Sequence, residues 1–271
     1  MITNGRHLLQ YIHNLPGGAL WVFMIKQAWA ALFGGLLLAA IIFTRFVELP
    51  WLARYDWLFI WAVLVQICML VFRLENPREV IAIVLFHLVG LGMELFKTSG
   101  NIGSWVYPEE SVIRLLTVPL FSGFMYAAVG SYIARAWRVL HLRFTRYPNR
   151  LFTILLALFI YINFFTHHYT YDIRYFLFAG VALLYGRSRV YFRPHQREYS
   201  MPLIMGFILV AFVVWLAENA ATFSSVWLYP SQYSTWQMVG VEKWGSWFLL
   251  MIISFIMIDI LRVVFRRTID E

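Results

Sequence analysis

Cysteine is almost absent from this 271-residue chain, in which Cys68 stands alone. One thiol excludes an intramolecular disulfide framework and a metal centre built from several cysteines. The chain also has no His-x-x-x-His or Glu-x-x-His pair, no glycine-rich loop that ends in Lys-Ser/Thr, and no Gly-x-Ser-x-Gly segment. The common zinc hydrolases, P-loop nucleotide-binding proteins and serine hydrolases are therefore not indicated. We expect neither a cofactor nor a resident metal ion.

Charged residues are also rare in this chain. Asp, Glu, Lys and Arg make up only 13% of the residues, whereas hydrophobic residues make up 61% and aromatic residues 19%. A soluble globule of this length does not need so much apolar surface to fill its core. The charged residues stand between the apolar runs, as expected when each costs about 2.5 to 3.5 kcal/mol at the centre of a bilayer. The composition predicts an all-α integral membrane protein.

The apolar runs predict about eight transmembrane helices in a single domain, residues 1–271. The spans cover residues 27–44, 57–72, 80–95, 115–134, 151–165, 173–184, 201–217 and 247–261. Several of them are shorter than the roughly 20 residues that a bilayer requires, so we expect their aromatic flanks to extend them. The run at residues 173–184 gives the weakest signal.

The segment before the first span, residues 1–26, is expected in the cytoplasm or at the membrane interface. A helix over residues 6–15 would have an apolar side and lie on the membrane surface, and a frayed tail is the alternative. The segment lacks the residue order of a cleavable signal. We therefore expect the first span to direct insertion.

Positive charge predicts the orientation. If both termini and every second loop share one side, 16 of the 22 lysines and arginines fall on that side. Because cytoplasmic loops carry the excess of Lys and Arg, the termini and the basic loops at residues 135–150 and 187–197 are expected in the cytoplasm. The net charge of +8 then reflects orientation and attraction to anionic head groups. Membrane lipids are the expected partners; nucleic acid is not, since these loops are short and tethered to the membrane.

One block of sequence occurs twice, at residues 94–123 and 218–245. Each copy has a glutamate at the end of an apolar run, a threonine four residues later, the segment Trp-x-Tyr-Pro and then a glycine. The first copy contains Glu94, Thr98, Trp105, Tyr107, Pro108 and Gly123, and the second contains Glu218, Thr222, Trp227, Tyr229, Pro230 and Gly245. The match predicts that the two segments share a structure.

Shorter matches extend this repeat in a constant order. The pairs are Tyr55-Asp56 with Tyr171-Asp172, Arg78-Glu79 with Arg197-Glu198, and Arg138-Val139 with Arg262-Val263. Because four spans separate the copies, each element keeps its orientation. The pattern predicts two parallel four-helix repeats, approximately residues 27–140 and 151–265, related by an axis along the membrane normal. Chance similarity between aromatic-rich segments is the alternative.

This topology brings most of the candidate acid-base groups to the outer face. A desolvated carboxylic acid such as Glu94 or Glu218 at the membrane boundary can act as a general acid toward a lipid-dissolved substrate. His87 lies two helical turns before Glu94 on the same face, and Asp172 lies in an outer loop. We predict these four as catalytic residues. The alternatives are charge pairing for the glutamates and helix packing for His87.

Eight further residues are predicted to bind the substrate: Lys97, Thr98, Trp105, Tyr107, Trp227, Tyr229, His167 and His168. The Trp-x-Tyr-Pro segments would line a mouth for an apolar, lipid-like ligand, or would belong to the aromatic belt of the membrane interface. Adjacent histidines on a short loop cannot both face one metal ion without help from elsewhere. We therefore favour an interfacial loop over a zinc site at residues 167–172.

The segment HLVGLGMELFKTSGNIGSWVYPEES, followed by LLTVPLFSGFMYAAVGSYIARAWR, resembles the YoaT-like family of bacterial integral membrane proteins, which is defined by a domain of unknown function. The resemblance implies the bacterial cytoplasmic membrane and no particular reaction. A more distant similarity is to the CruF-type carotenoid hydratases and the related lycopene cyclases. It rests on Glu94, Gly100, Gly103, Trp105, Tyr107 and Pro119. The sequence departs from that pattern at Lys97-Thr98.

Three functions remain open. The first, which we favour, is a cofactor-independent enzyme that protonates an isoprenoid or another lipid, with Glu94 and Glu218 as acid and base. The second is a transporter or binding protein for a small solute or a lipid, and the third is a structural membrane protein. Lys97, Glu109 and Glu110 have no charged counterparts in the second copy. If there is one active centre, we expect the first copy to dominate it.

Overall fold

The computed structural model describes residues 17–270, apart from the side chains of Arg78 and residues 265–270. The α-helices in this part of the chain are α1 (Gly18–Ala30), α2 (Leu32–Phe46), α3 (Arg54–Val71), α4 (Pro77–Lys97), α5 (Phe121–Val139), α6 (Arg150–Thr166), α7 (Arg174–Tyr185), α8 (Leu203–Phe223) and α9 (Glu242–Asp270). The helix predicted over residues 6–15 lies outside the described residues.

Short strands connect the helices. Strands β1 (Arg114–Leu115) and β2 (Val118–Pro119) form an antiparallel hairpin before α5. Strands β3 (Arg143–Thr145), β4 (Arg189–Phe192) and β5 (Tyr199–Pro202) form an antiparallel sheet in that order. A one-turn 3-10 helix covers Pro230–Gln232. The protein is thus mostly helical, as predicted.

Four helices are long and apolar enough to cross a membrane, over Arg54–Val71, Glu79–Lys97, Leu203–Phe223 and Glu242–Val264. The bent pair of α1 and α2 becomes a fifth candidate if the two are taken as one span. Helices α6 and α7 are apolar but shorter. The molecule therefore has the helices of a membrane protein.

The structure differs from the sequence prediction at two spans. Residues 27–44, predicted as one span, are divided at Ala31, where α1 and α2 meet at an angle of 71°. The carbonyl of Trp29 at this break accepts a hydrogen bond of 2.6 Å from Arg135 of α5, which helps to satisfy the end of α1. In the predicted span 115–134, the helix begins only at Phe121, because the β1–β2 hairpin occupies the residues before it.

The start of α4 is fixed by its own sequence. Asn76 and Glu79 form a capping box, and Pro77 occupies the first helical position, where no amide hydrogen is needed. The helix then continues through an apolar run and ends at Lys97. This places Glu94 and Lys97 in its last turn.

Helix α5 lies at the centre of the molecule. It packs most extensively against α4 and also contacts α1, α2, α3 and α9. Its buried positions include Ala127, Gly130 and Ile133, which are small or apolar and permit this close packing. We call the end of the bundle where α4 ends and α9 begins the Glu94 end.

Candidate functional site

Glu94 is the centre of a hydrogen-bond network in the last turn of α4. Glu94 is buried, with only 2% of its surface exposed. Oxygen Oε2 accepts hydrogen bonds from Trp105 Nε1 and from the Tyr107 hydroxyl, each 2.8 Å long, and Oε1 accepts one of 2.8 Å from the Tyr126 hydroxyl. A negative charge near the C-terminus of a helix is disfavoured by the helix dipole. The three neutral donors offset that cost and the loss of water.

Glu218 has a matching environment near the end of α8, where it is 4% exposed. The Tyr229 hydroxyl donates to Oε1 at 2.6 Å, and Trp247 Nε1 donates to Oε2 at 2.8 Å. Tyr107 and Tyr229 occupy the same position of the two Trp-x-Tyr-Pro segments. Each glutamate also receives one donor from the helix that follows its loop, Tyr126 of α5 or Trp247 of α9.

The two networks adjoin one another. Val106 and Leu228, the middle residues of the two Trp-x-Tyr segments, form an antiparallel bridge with two backbone hydrogen bonds of 2.9 Å. Across this bridge the ring centroids of Trp105 and Tyr229 are 6.0 Å apart. The donor to one glutamate therefore contacts the donor to the other.

Lys243 lies over the same two rings. Its Nζ is 4.4 Å from the ring centroid of Tyr229 and 5.8 Å from that of Trp105. A cation over an aromatic face is attracted by the negative face of the ring. Lys243 thus contacts one aromatic donor of each of the two glutamates.

The two loop tyrosines stay protonated at neutral pH. Burial, and then the nearby Glu94, raises the pKa of Tyr107 well above its usual range. Burial, and then Glu218, does the same to the pKa of Tyr229. Each hydroxyl therefore keeps the hydrogen that it donates to its glutamate.

Gly90 explains how Tyr126 reaches Glu94. A Cβ atom at position 90 would lie 2.5 Å from the Tyr126 ring, so the ring packs directly against the backbone of α4. Gly90 is one helical turn before Glu94. The glycine thus brings the hydroxyl of Tyr126 within reach of the carboxylate.

A second polar cluster surrounds Lys97. Its Nζ lies 2.6 Å from Nε2 of His168, 3.4 Å from Nε2 of His167 and 4.2 Å from the ring centroid of Phe164. Burial, and then Lys97, lowers the pKa of His168 to about 4, and burial also lowers the pKa of His167. Both imidazoles are therefore neutral at pH 7 and can accept hydrogen bonds from the amine.

Asp172 and His87 stand apart from the glutamates. Asp172 accepts hydrogen bonds from Asn163 and from the backbone of Arg174, and pairs with the Arg174 side chain at 2.6 Å. The His87 ring packs on Gly123 and against Phe124, and its Nδ1 has no hydrogen-bond partner among the described residues. Neither residue donates to Glu94 or Glu218.

The remaining two predicted residues have structural contacts. Thr98 hydrogen-bonds to the Glu94 carbonyl at 2.9 Å and to Thr117 at 2.8 Å, which fixes the end of α4. Trp227 is buried in the apolar cluster that includes Tyr55 and Trp105. The structure brings together five of the twelve predicted site residues. They are the two glutamates, Glu94 and Glu218, and three of their hydrogen-bond donors, Trp105, Tyr107 and Tyr229.

Sequence reasoning missed three residues of this site, Tyr126, Trp247 and Lys243. For two of them the sequence holds a signal, which is their position just after the repeated block. Tyr126 follows Gly123, the last residue of the first copy, by three residues, and Trp247 follows Gly245, the last residue of the second copy, by two. Lys243 stands one turn before Trp247. Within the described part of the chain, no group of three or more His, Cys, Asp or Glu residues is placed to hold a metal ion.

The comparisons with known proteins agree with the resemblance seen in the sequence. The chain is 44% identical over 239 residues to the uncharacterized protein YoaT of Bacillus subtilis (strain 168), and the match covers 88% of this chain and 90% of that protein. No solved structure matches the chain. The model of a family described as "Protein of unknown function (DUF817)" matches residues 19–255. The chain belongs to this DUF817 family.

Proposed function

We propose that this protein is a membrane enzyme that moves protons on an isoprenoid or another lipid without a cofactor. One observation carries the proposal: two buried glutamates, Glu94 and Glu218, each held by aromatic donors, lie in networks that meet at the Val106–Leu228 bridge. Buried carboxyl groups in a membrane protein are costly. Two of them in matched settings fit an acid and base pair better than packing alone.

The chemistry requires a proton donor, a proton acceptor and a surface that stabilises positive charge. One glutamate in its acid form protonates a carbon-carbon double bond, which leaves a carbocation. The ring faces of Trp105 and Tyr107 stabilise that cation. Water then adds to the cation and loses a proton, or a second double bond attacks the cation, closes a ring and leaves a new cation that loses a proton. In either case the other glutamate accepts the proton that is released.

We further infer two parallel repeats, residues 27–140 and 151–265, with the glutamates at their interface. The matched donor sets support this, and so does the antiparallel bridge, which has a local twofold axis. Eight spans would require α5, α6 and α7 to cross the membrane as well. At 1.5 Å per residue the 12 residues of α7 extend about 18 Å, so its flanking residues would have to complete that span.

The charge distribution supports the orientation proposed with these repeats. Both termini would face the cytoplasm of a bacterial cell, and the Glu94 end would face the outer leaflet of the cytoplasmic membrane. The substrate would then enter from that leaflet.

Transport is the second candidate, and the bend between α1 and α2 favours it. Discontinuous helices are a feature of transporter sites, and here the axes of α1 and α2 differ in direction by 71°. Uptake of protons or small solutes into liposomes that contain only this protein would support transport. An enzyme gives no net uptake but alters the lipid.

Replacement of each glutamate by glutamine tests the enzyme proposal. Cells that lack their own copy of the gene are given the wild-type protein, Glu94→Gln, Glu218→Gln or, as a control, Glu110→Gln, which changes an exposed carboxylate. We expect the wild type and the control to produce a lipid with one added water, or an isomer of unchanged mass. Both glutamine variants should lose that product, because an amide cannot exchange the proton.

Liquid chromatography coupled to mass spectrometry checks this expectation, because chromatography separates isomers of equal mass. Protein levels are measured in the same membranes. Equal amounts of the lipid product from the wild type and both glutamine variants would contradict the enzyme proposal.

A further inference from the structure

One half of helix α1 is exposed and entirely apolar. Its exposed residues form two adjacent rows with a spacing of four, which places them on the same half of the helix. The rows are Leu20, Met24 and Ala28, and Trp21, Ile25 and Trp29. Lys26 and Gln27, the polar residues of α1, lie on the other half. A continuous exposed apolar surface of this kind indicates a membrane or a protein partner.

The other half of α1 is attached to the end of the bundle opposite the Glu94 end. Its contacts reach the last two turns of α5 and strand β4. They join Lys26 Nζ to the Val139 carbonyl at 3.1 Å, the Tyr132 hydroxyl to Gln27 Oε1 at 2.9 Å, and the ring centroids of Phe23 and Phe192 at 5.1 Å. Helix α1 therefore runs across this end of the bundle and not along its length.

Helix α2, in contrast, follows the bundle toward the Glu94 end. Near its start, the ring centroid of Phe33 lies 6.2 Å from that of Phe124 in α5. Near its end, the Ile41 carbonyl accepts a hydrogen bond of 2.9 Å from Arg54, the first residue of α3. The directions of α1 and α2 differ by 71°. If α2 stands along the membrane normal, the 13 residues of α1 rise by only about 6 Å.

A buried arginine supports this angle. Arg135 of α5 is 1% exposed, and its guanidinium carbon lies 5.4 Å from the ring centroid of Trp29. The same guanidinium donates a hydrogen bond to the Trp29 carbonyl. Both contacts act on the last turn of α1, just before the break at Ala31. The bend is therefore fixed by packing against α5.

The neighbouring surface indicates what surrounds α1. At the same end of the bundle, Val71 and Phe72 at the end of α3 are exposed. Apolar surface thus continues to the level of α1, as expected where acyl chains surround the helices. Tryptophan prefers the border of the hydrocarbon region, because its ring is apolar and its N–H is polar. The row with Trp21 and Trp29 fits that border, and the row with Leu20 fits the acyl chains.

We propose that α1 is an in-plane helix embedded in the interface of the cytoplasmic leaflet, with lipid as the partner of its apolar half. Leu20, Met24 and Ala28 pack among acyl chains, and Trp21 and Trp29 lie at the level of the head groups. The choice of leaflet follows from the arginines at this end of the bundle. The inference does not depend on the proposed reaction, and α2 alone then makes the first crossing.

Depth measurements along one row test the proposal. In a Cys68→Ala background, Leu20→Cys, Met24→Cys and Ala28→Cys each carry a nitroxide spin label. The full-length protein is placed in vesicles of phosphatidylcholine and phosphatidylglycerol. Collisions with oxygen, which concentrates in the bilayer, and with a water-soluble nickel chelate give the depth of each label. We expect the three depths to agree within about 4 Å, whereas a helix along the membrane normal would spread them over about 12 Å.

Helix α3 provides the control. Leu64→Cys and Val71→Cys lie at exposed positions seven residues apart, and their depths should differ by about 10 Å. If the depths along α1 change as much per residue as those along α3, α1 and α2 form one broken span and the proposal is wrong.

Two further outcomes would also contradict a lipid partner. Labels on α1 that the nickel chelate reaches as readily as a label at the exposed position Glu110→Cys would show that the apolar half faces water. Labels that neither oxygen nor nickel reaches would show that protein covers it.

The substituted positions are exposed, so we expect the labelled proteins to elute from gel filtration as the wild type does. If a variant of the first row does not fold, Trp21→Cys and Ile25→Cys on the second row replace it. Their depths should agree within about 2 Å, against about 6 Å for a helix along the membrane normal.

Discussion

Glu94 shows how a carboxyl group is accommodated inside this protein. It has no ion pair among the described residues, and three neutral donors take the place of water. A hydrogen bond to a charged group contributes about 1.5 to 3 kcal/mol. The donors therefore hold this carboxyl group inside the protein without an ion pair.

Removal of one donor should be measurable at each glutamate. Tyr107→Phe and Tyr229→Phe each delete a hydroxyl that donates to a buried carboxyl oxygen. We expect each to lower the free energy of unfolding by about 1.5 to 3 kcal/mol. Unfolding in mixed micelles, followed by tryptophan fluorescence, measures this.

Tyr233→Phe is the matched control, since Tyr233 is 56% exposed. Its unfolding free energy should remain within about 0.5 kcal/mol of the wild type. If Tyr107→Phe and Tyr229→Phe are equally neutral, the hydroxyls do not stabilise the glutamates as described.

The repeated block predicted part of this site and not the rest. Because Glu94 and Tyr107 recur as Glu218 and Tyr229, the sequence indicated that these residues belong together. Tyr126 and Trp247 lie within helices, where an aromatic residue is equally consistent with packing. Their role depends on how closely neighbouring helices approach, which no local pattern records.

At the scale of elements, the site depends on the contact between α4 and α5. The ring of Tyr126 lies against Gly90, with its Cβ 2.7 Å from the position that a Gly90 Cβ would take. The hydroxyl then reaches Glu94. The spacing of two helices and the hydrogen bonds of the site are therefore set by one residue without a side chain.

Gly90→Ala should separate these helices. The added methyl group cannot be accommodated by a small movement, because it meets the Cβ of Tyr126 as well as the ring. Overpacking of this kind costs about 1 to 3 kcal/mol. Unfolding in mixed micelles should show this loss of stability.

Gly92→Ala, two residues away, provides the control. No heavy atom lies within 4 Å of a Cβ at that position, and alanine favours a helix by about 1 kcal/mol over glycine. We expect this variant to be as stable as the wild type or more so. A Gly90→Ala protein no less stable than Gly92→Ala would contradict the packing argument.

Composition predicted helices well, but it did not predict where they break. Residues 27–44 contain no proline, and their apolar run gave no reason to divide them at Ala31. The carbonyl of Trp29 at this break accepts a hydrogen bond from Arg135, more than 100 residues away in the chain. A break supported by such a distant residue is a tertiary feature, and hydropathy over a local window cannot reveal it.

At the scale of the whole molecule, the two ends of the bundle differ in chemistry. The Glu94 end has Glu94 and Glu218 with their aromatic donors, two lysines, and two arginines, Arg54 and Arg174, which are paired with carboxylates. The opposite end has a buried glutamate of its own, Glu75, and many arginines. Among these arginines, Arg138 pairs with Glu79 at 3.1 Å and donates to the carbonyl of Leu74 at 2.7 Å. This asymmetry is consistent with the proposed orientation, in which the arginine-rich end faces the cytoplasm.

Cysteine labelling tests that orientation. In a Cys68→Ala background, single cysteines are introduced by Glu110→Cys, near the Glu94 end, and by Gln196→Cys, in the turn between β4 and β5 at the opposite end. Both positions are exposed. A maleimide that cannot cross membranes should label the Glu110→Cys protein in intact cells and the Gln196→Cys protein only after the cells are opened. Labelling of both in intact cells, or the reverse order, would contradict the orientation and with it entry of the lipid from the outer leaflet.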